Sequence, residues 1–131
     1  MGLIEKRLIR EAKETWLPGE QEDLRSAAAG SAVVIDIDWA SFETDEPALR
    51  NLQHLGVRKI SNAFRVICVD DLGKEAVRDG IKRVVVSNVK DAKEGSLSLE
   101  DGTFTLRCAF AKGADGCMAD LQIARQLERL L

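Results

Sequence analysis

The sequence predicts an α+β fold in which a mostly antiparallel sheet of about four strands, one near residues 32–40 and three within 82–110, is packed by helices at the N-terminus, in the middle and at the C-terminus. Three observations lead there. Leu3, Ile4, Leu8, Ile9, Ala12 and Trp16 recur at helical spacing. In SLSLEDGTFTLRCAF, Leu97, Leu99, Phe104, Leu106, Cys108 and Phe110 alternate with polar or small residues on either side of Asp101-Gly102, the signature of a tight hairpin. Three strand-like runs also follow one another after a series of helices, a pattern of segregated layers rather than of alternating β and α units. At 131 residues the chain is the size of one domain, so residues 1–131 are expected to form a single compact unit.

Taken in order, MGLIEKRLIREAKETW reads as a charged amphipathic helix that Leu17-Pro18-Gly19 should stop. EQEDLRSAAA consists of good helix formers and ends at Gly30, which suits a second helix with glycine after its C-terminus. The first strand follows at 32–40. Asp45, Glu46 and Pro47 mark a helix start, and Leu49, Leu52 and Leu55 line one face up to Gly56. Residues 57–69 fit either period, but Ile60, Phe64, Ile67, Leu72 and Ala76 keep the helical one through to Gly80, so a helix is expected. KRVVVSNV is rich in β-branched residues and reads as a strand, the hairpin comes next, and residues 117–131 close the chain as a helix with Leu121, Ala124, Leu127 and Leu131 inward.

Composition narrows the function classes. Apolar residues at 45% and charged residues at 31% are ordinary globular values. No apolar stretch is long enough to cross a bilayer, so no membrane partner is expected and the default address is cytoplasmic. Cys68, Cys108 and Cys117 are an odd number at wide spacing, and with His54 as the one histidine they make neither a disulfide framework nor a zinc site. No cofactor is expected. Charge is uneven, −4 over residues 31–56 and +4 over 57–93, but the basic segment has Phe64 as its one aromatic and carries five acids. A nucleic-acid surface needs clustered cations interleaved with stacking rings, so nucleic acid is not expected as a partner.

The sharpest motif is VVIDIDWASF. Asp36 and Asp38, two apart on a strand, point to one face roughly 6.5 Å apart and can share a hard cation through their oxygens. The run resembles the first motif of the haloacid-dehalogenase-type phosphatases, in which an apolar strand ends in DxD. That resemblance implies a nucleophile at Asp36, proton handling at Asp38, a hydroxyl at Ser87, a lysine at Lys90, Lys93 or Lys112, and an acid pair at Asp115 and Asp120. This sequence departs from the pattern: Trp39 and Ala40 stand where the family has a glycine and then threonine or valine, and the Asp101-Gly102 hairpin is antiparallel where the family has a parallel core. Asp36 and Asp38 also read as the wet face of a strand whose other face is Val33, Ile35, Ile37 and Trp39, and that explains more of the residues.

Cys117 is a second candidate. Placed after a glycine-containing loop and near a helix start, it is a candidate nucleophile if His54 serves as base, while Asp115 and Asp120 oppose its ionisation. His54 otherwise suits the C-terminal end of the helix before Gly56, Asp70-Asp71 reads as a helix-surface pair facing Lys74, and Trp16 reads as an anchor for the first helix. The foremost expectation is therefore a small non-enzymatic binding or interaction module whose partner is a protein, with a second copy of itself among the candidates. A metal-assisted phosphoryl hydrolase at Asp36 and Asp38 is the alternative, and a thiol-dependent activity at Cys117 the second alternative.

Overall fold

The computed structural model describes residues 2–131; Met1, the first residue of the N-terminal helical reading, lies outside them. Helix α1 (Leu3–Glu11) does not stop at Leu17-Pro18-Gly19. It passes through one wide turn, Ala12–Trp16, directly into α2 (Leu17–Ala27), and that wide turn immediately before Pro18 is what lets the run-on helix take a residue without an N–H. Ala29 and Gly30 then take positive φ and end the helix. Strand β1 (Val34–Ile37) follows.

Asp45 caps α3 (Glu46–Leu52) by accepting from the Ala48 N–H at 3.2 Å. The expected stop at Gly56 is absent: a second wide turn, Gln53–Val57, runs on into α4 (Arg58–Ile67). Gly56 is there for space, since a Cβ would sit 2.9 Å from the Phe110 ring. The segment 57–69 is helical as expected, but the helix does not continue unbroken to Gly80. It breaks at Cys68–Asp70, and the exposed Asp70 is the N-cap of α5 (Asp71–Gly80), accepting from the Gly73 N–H at 2.8 Å, with no ion pair to Lys74 among the described residues. The elbow is tight enough that a Cβ on Gly73 would lie 1.8 Å from the Ile67 carbonyl oxygen. Strands β2 (Arg83–Asn88), β3 (Ser96–Glu100) and β4 (Thr103–Cys108) follow, then the 3₁₀ turn Phe110–Gly116 and α6 (Asp120–Leu130).

The fold is α+β with a four-stranded sheet packed by helices, but the sheet is mixed and mostly parallel, in the order β1-β2-β4-β3. The pairs β1–β2 and β2–β4 are parallel and only β3–β4 is antiparallel. Two causes overturn the antiparallel expectation. Helices α3 to α5 carry the chain back across one face before β2, and a helical crossover of that kind returns a strand in the same direction. The three later strands do run up, down and up as a meander would, but β4 rather than β3 takes the place beside β2. Burial decides that order. Phe104, Leu106 and Cys108 of β4 are buried, whereas Leu97 and Leu99 of the serine-rich β3 are only partly so, and the more apolar strand takes the centre. The hairpin turn itself is as expected, with Asp101 at φ 50° and Gly102 at φ 79°.

All the helices lie on one side of the sheet. Val84, Val86, Phe104 and Leu106 are buried there among Leu24, Ile60, Phe64, Ile123 and Leu127, with the Phe64 and Phe104 ring centroids 6.4 Å apart. The α2–α4 contact carries one buried charge: Glu20 Oε1 accepts from Arg58 Nη2 at 2.7 Å and from Gln53 Nε2 at 3.0 Å, so the charge is paired. Among the described residues no helix is long and apolar enough to cross a membrane.

Candidate functional site

The uncovered face of the sheet holds the two aspartates. Asp36, Asp38, Arg83, Ser87, Thr105 and Arg107 border a shallow depression of about 390 Å³, open to solvent. As the strand period requires, Asp36 and Asp38 share that face, and both are engaged. Arg83 ion-pairs with Asp36, and Ser87 Oγ donates to Asp38 Oδ2 at 2.9 Å. The parallel register is what joins the latter pair, since Ile37 lies opposite Val86 and their successors meet. Of the other positions in the phosphatase-like thread, Lys90, Lys93, Lys112 and Asp120 do not border this depression, and Asp115 lines a different one. Among the described residues, no three His, Cys, Asp or Glu side chains gather as a metal would need.

In a sheet with parallel strands, the crevice at the carboxyl ends is the usual place for a ligand. Here Asn88 plugs it. Its Nδ2 donates to Ser41 O and to Asp45 Oδ2, both at 3.1 Å, its Oδ1 accepts from the Phe110 N–H at 3.3 Å, and its own N–H donates to Ser41 Oγ at 2.9 Å. One side chain thus ties β2 to the segment after β1, to the start of α3 and to the turn after β4. Nothing in the local sequence marks Asn88 out, because each of its partners is far along the chain.

Cys117 lies elsewhere than expected. It precedes α6 by three residues in extended conformation, φ −128° and ψ 152°, so the helix start contributes no N–H to it. His54 does not reach it: that ring accepts or shares a bond with Arg58 Nη1 at 3.0 Å and lines a separate depression with Trp16 and Leu49. Nor is His54 at a helix end, since α3 runs on into α4. The neighbour of Cys117 is Cys108. Interaction with the Cys117 side chain lowers the Cys108 pKa first among its causes, against the opposing effect of burial and helped by the Met118 backbone and the Lys59 charge. The same interaction and then burial push the Cys117 thiol well up. Sequence reasoning missed Cys108 because its alternation marks it as an inward strand residue, which it also is.

The two edges of the sheet are treated differently. Along β1, the Gln21 side chain of α2 acts as a substitute strand: Nε2 donates to Val33 O at 2.9 Å and Oε1 accepts from the Ile35 N–H at 2.8 Å, with Arg25 Nε also reaching Val33 O at 3.4 Å. Along β3, no hydrogen bond among the described residues reaches the outward backbone of Ser96–Glu100. Beside that open edge lies a largely apolar hollow of about 420 Å³ between α5 and the end of α6, bordered by Leu72, Ala76, Leu99, Leu130 and Leu131 together with Glu75 and Asp79. Leu72 is 78% exposed there. No family model matches the chain, and neither the curated proteins nor the solved structures contain a match to it.

Proposed function

We infer that this protein is an interaction module whose partner is a second copy of itself, joined through the β3 edge. The observation that carries this reading is the contrast between the edges: one is covered by Gln21, while the other is left bare beside exposed leucines. An unpaired strand edge next to an apolar hollow is a surface that another strand completes.

The chemistry of β3 favours its own copy. Paired antiparallel about Ser98, SLSLE sets Leu97 opposite Leu99 and Ser96 opposite Glu100, so like meets like on each face. Arg107 supplies the charge. Its Nη1 leans over the edge strand to Ser96 Oγ at 3.4 Å, on the face and at the position where Glu100 of the second copy would lie. The two-fold repeats that ion pair at both ends, and the leucine hollows flank it on the helical side.

Sedimentation and light scattering of four proteins test this. The wild type is expected to dimerise. Glu100→Arg and Arg107→Glu each place like charges across the edge and should weaken dimerisation about tenfold or more, while the double swap should restore it. Both side chains are exposed, so the folded monomer should survive each change. A wild type that stays monomeric at high micromolar concentration, or single variants that dimerise as the wild type does, would overturn the reading.

A further inference from the structure

The cysteine pair is a second feature of the fold, and its pocket borders the edge strand at Ser96 and Leu97. Cys108 ends β4 and Cys117 follows the 3₁₀ turn, and the intervening loop is closed at its neck by the Ala109 N–H donating to Gly116 O at 3.0 Å. That bond puts residues 109 and 116 opposite each other and so brings 108 and 117 face to face at the next position outward, as in an antiparallel ladder. The neck is close because Gly116 has no side chain: a Cβ there would sit 2.1 Å from Ala109 O. Opposed residues of such a ladder hold their Cβ atoms about 4.5–5.5 Å apart, and a disulfide needs about 3.5–4.5 Å, so a shift of about an ångström spans the gap. Both residues line one pocket of about 330 Å³ whose polar border includes Arg107, Asp115, Gln122 and Gln126. Cys117 is half-buried and sits outermost; Cys108, at 2% exposure, lies behind it.

We propose that Cys108 and Cys117 form a thiol–disulfide exchange site that takes a low-molecular-weight peptide disulfide of the glutathione class, with Cys117 as the outer nucleophile and Cys108 as the inner, resolving thiol. The pair loses one proton to solvent, and the other rests on Cys117 until it passes to the facing Cys108 sulfur and leaves the outer sulfur as the thiolate. When that proton sits on Cys108, the Cys117 thiolate attacks one sulfur of the peptide disulfide, whose S–S bond breaks. A mixed disulfide forms on Cys117 and one peptide thiolate leaves, taking the proton from Cys108. The Cys108 thiolate then attacks Cys117 Sγ, closing the Cys108–Cys117 bond and expelling the second peptide as a thiolate, which solvent protonates. Two protein thiols are oxidised and one peptide disulfide is reduced to two thiols. Cys108 therefore does for Cys117 what a histidine base does elsewhere: it receives and returns a proton. Cys68 takes no part, since burial pushes its thiol up and its sulfur lies 4.0 Å from Gly73 O in a different part of the fold.

The test is to equilibrate the folded full chain with mixtures of oxidised and reduced glutathione, alkylate the remaining thiols and read intact mass and peptide maps. The wild type is expected to lose the mass of two hydrogens, to retain one alkylatable thiol of its three, at Cys68, and to carry no glutathione. Cys108→Ala, which keeps an apolar side chain in the buried position, should stop at a stable glutathione adduct on Cys117. Cys117→Ser should react at least about tenfold more slowly and form no Cys108 adduct. A wild type that ends as a glutathione adduct, that links Cys68, or that forms the 108–117 bond no more readily than the chain in denaturant would overturn the proposal. Were Cys108→Ala to lose its fold, the wild-type mass and the Cys117→Ser rate still decide.

Discussion

Replacing Phe104 with alanine is expected to destabilise the protein by about 3–5 kcal/mol, the largest loss from any single truncation considered for this fold. The ring is fully buried on the central strand β4, stacks at a tilt on Phe64 of α4 and sits where the helical layer meets the middle of the sheet. Neither β4 nor α4 can move inward to fill the hole without breaking the parallel ladder to β2 or the packing of α6, so most of the cavity term should survive relaxation. Urea unfolding followed by circular dichroism measures it: the midpoint should fall while the slope stays near that of the wild type. A loss below about 1 kcal/mol would mean that the ring is not central to the core.

Asn88→Ala should cost about 2–4 kcal/mol, although it removes little apolar area. The truncation leaves the Phe110 N–H, the Ser41 carbonyl and one oxygen of Asp45 without the partner they have now, and buried polar groups left alone cost about 1–3 kcal/mol each, less whatever water recovers. Asn88→Asp is the sharper variant. It is nearly the same shape but sets a carboxylate against Asp45 and takes away the donor, so thermal unfolding at neutral pH should place it below Asn88→Ala. A tolerated aspartate would show that the hub is wet and that β2 is not what anchors the start of α3.

Much of the local structure was legible in the residues. Asp45 and Pro47 marked the start of α3, Asp101-Gly102 marked the hairpin, and the period-two alternation put Asp36 and Asp38 on one face. Each signal acts within a few positions of the chain. What was not legible depended on comparison across it. The place of β4 beside β2 follows from the relative burial of two adjacent strands, and the run-on helices at Pro18 and Gly56 follow from what surrounds them: Pro18 comes directly after a wide turn, and Gly56 makes room for Phe110. The candidate site divides the same way. The aspartates were found in their correct orientation, but their partners Arg83 and Ser87 came from a strand paired in parallel where an antiparallel pairing was expected. Cys117 was singled out, whereas the neck bond that opposes it to Cys108 has no sequence signal beyond the glycine at 116.

The Gln21 amide on β1 bears on how far association can go. A sheet with two receptive edges can add copies without end, and the product is a ribbon or fibre rather than a particle. Here a single side chain from the preceding helix occupies the Val33 C=O and the Ile35 N–H, two of the groups an incoming strand would use. On the proposed pairing, growth through the opposite margin would be limited to one event. Gln21 would in that sense act as a chain terminator, and a substitution that shortens it is expected to convert a closed pair into a polymerising unit.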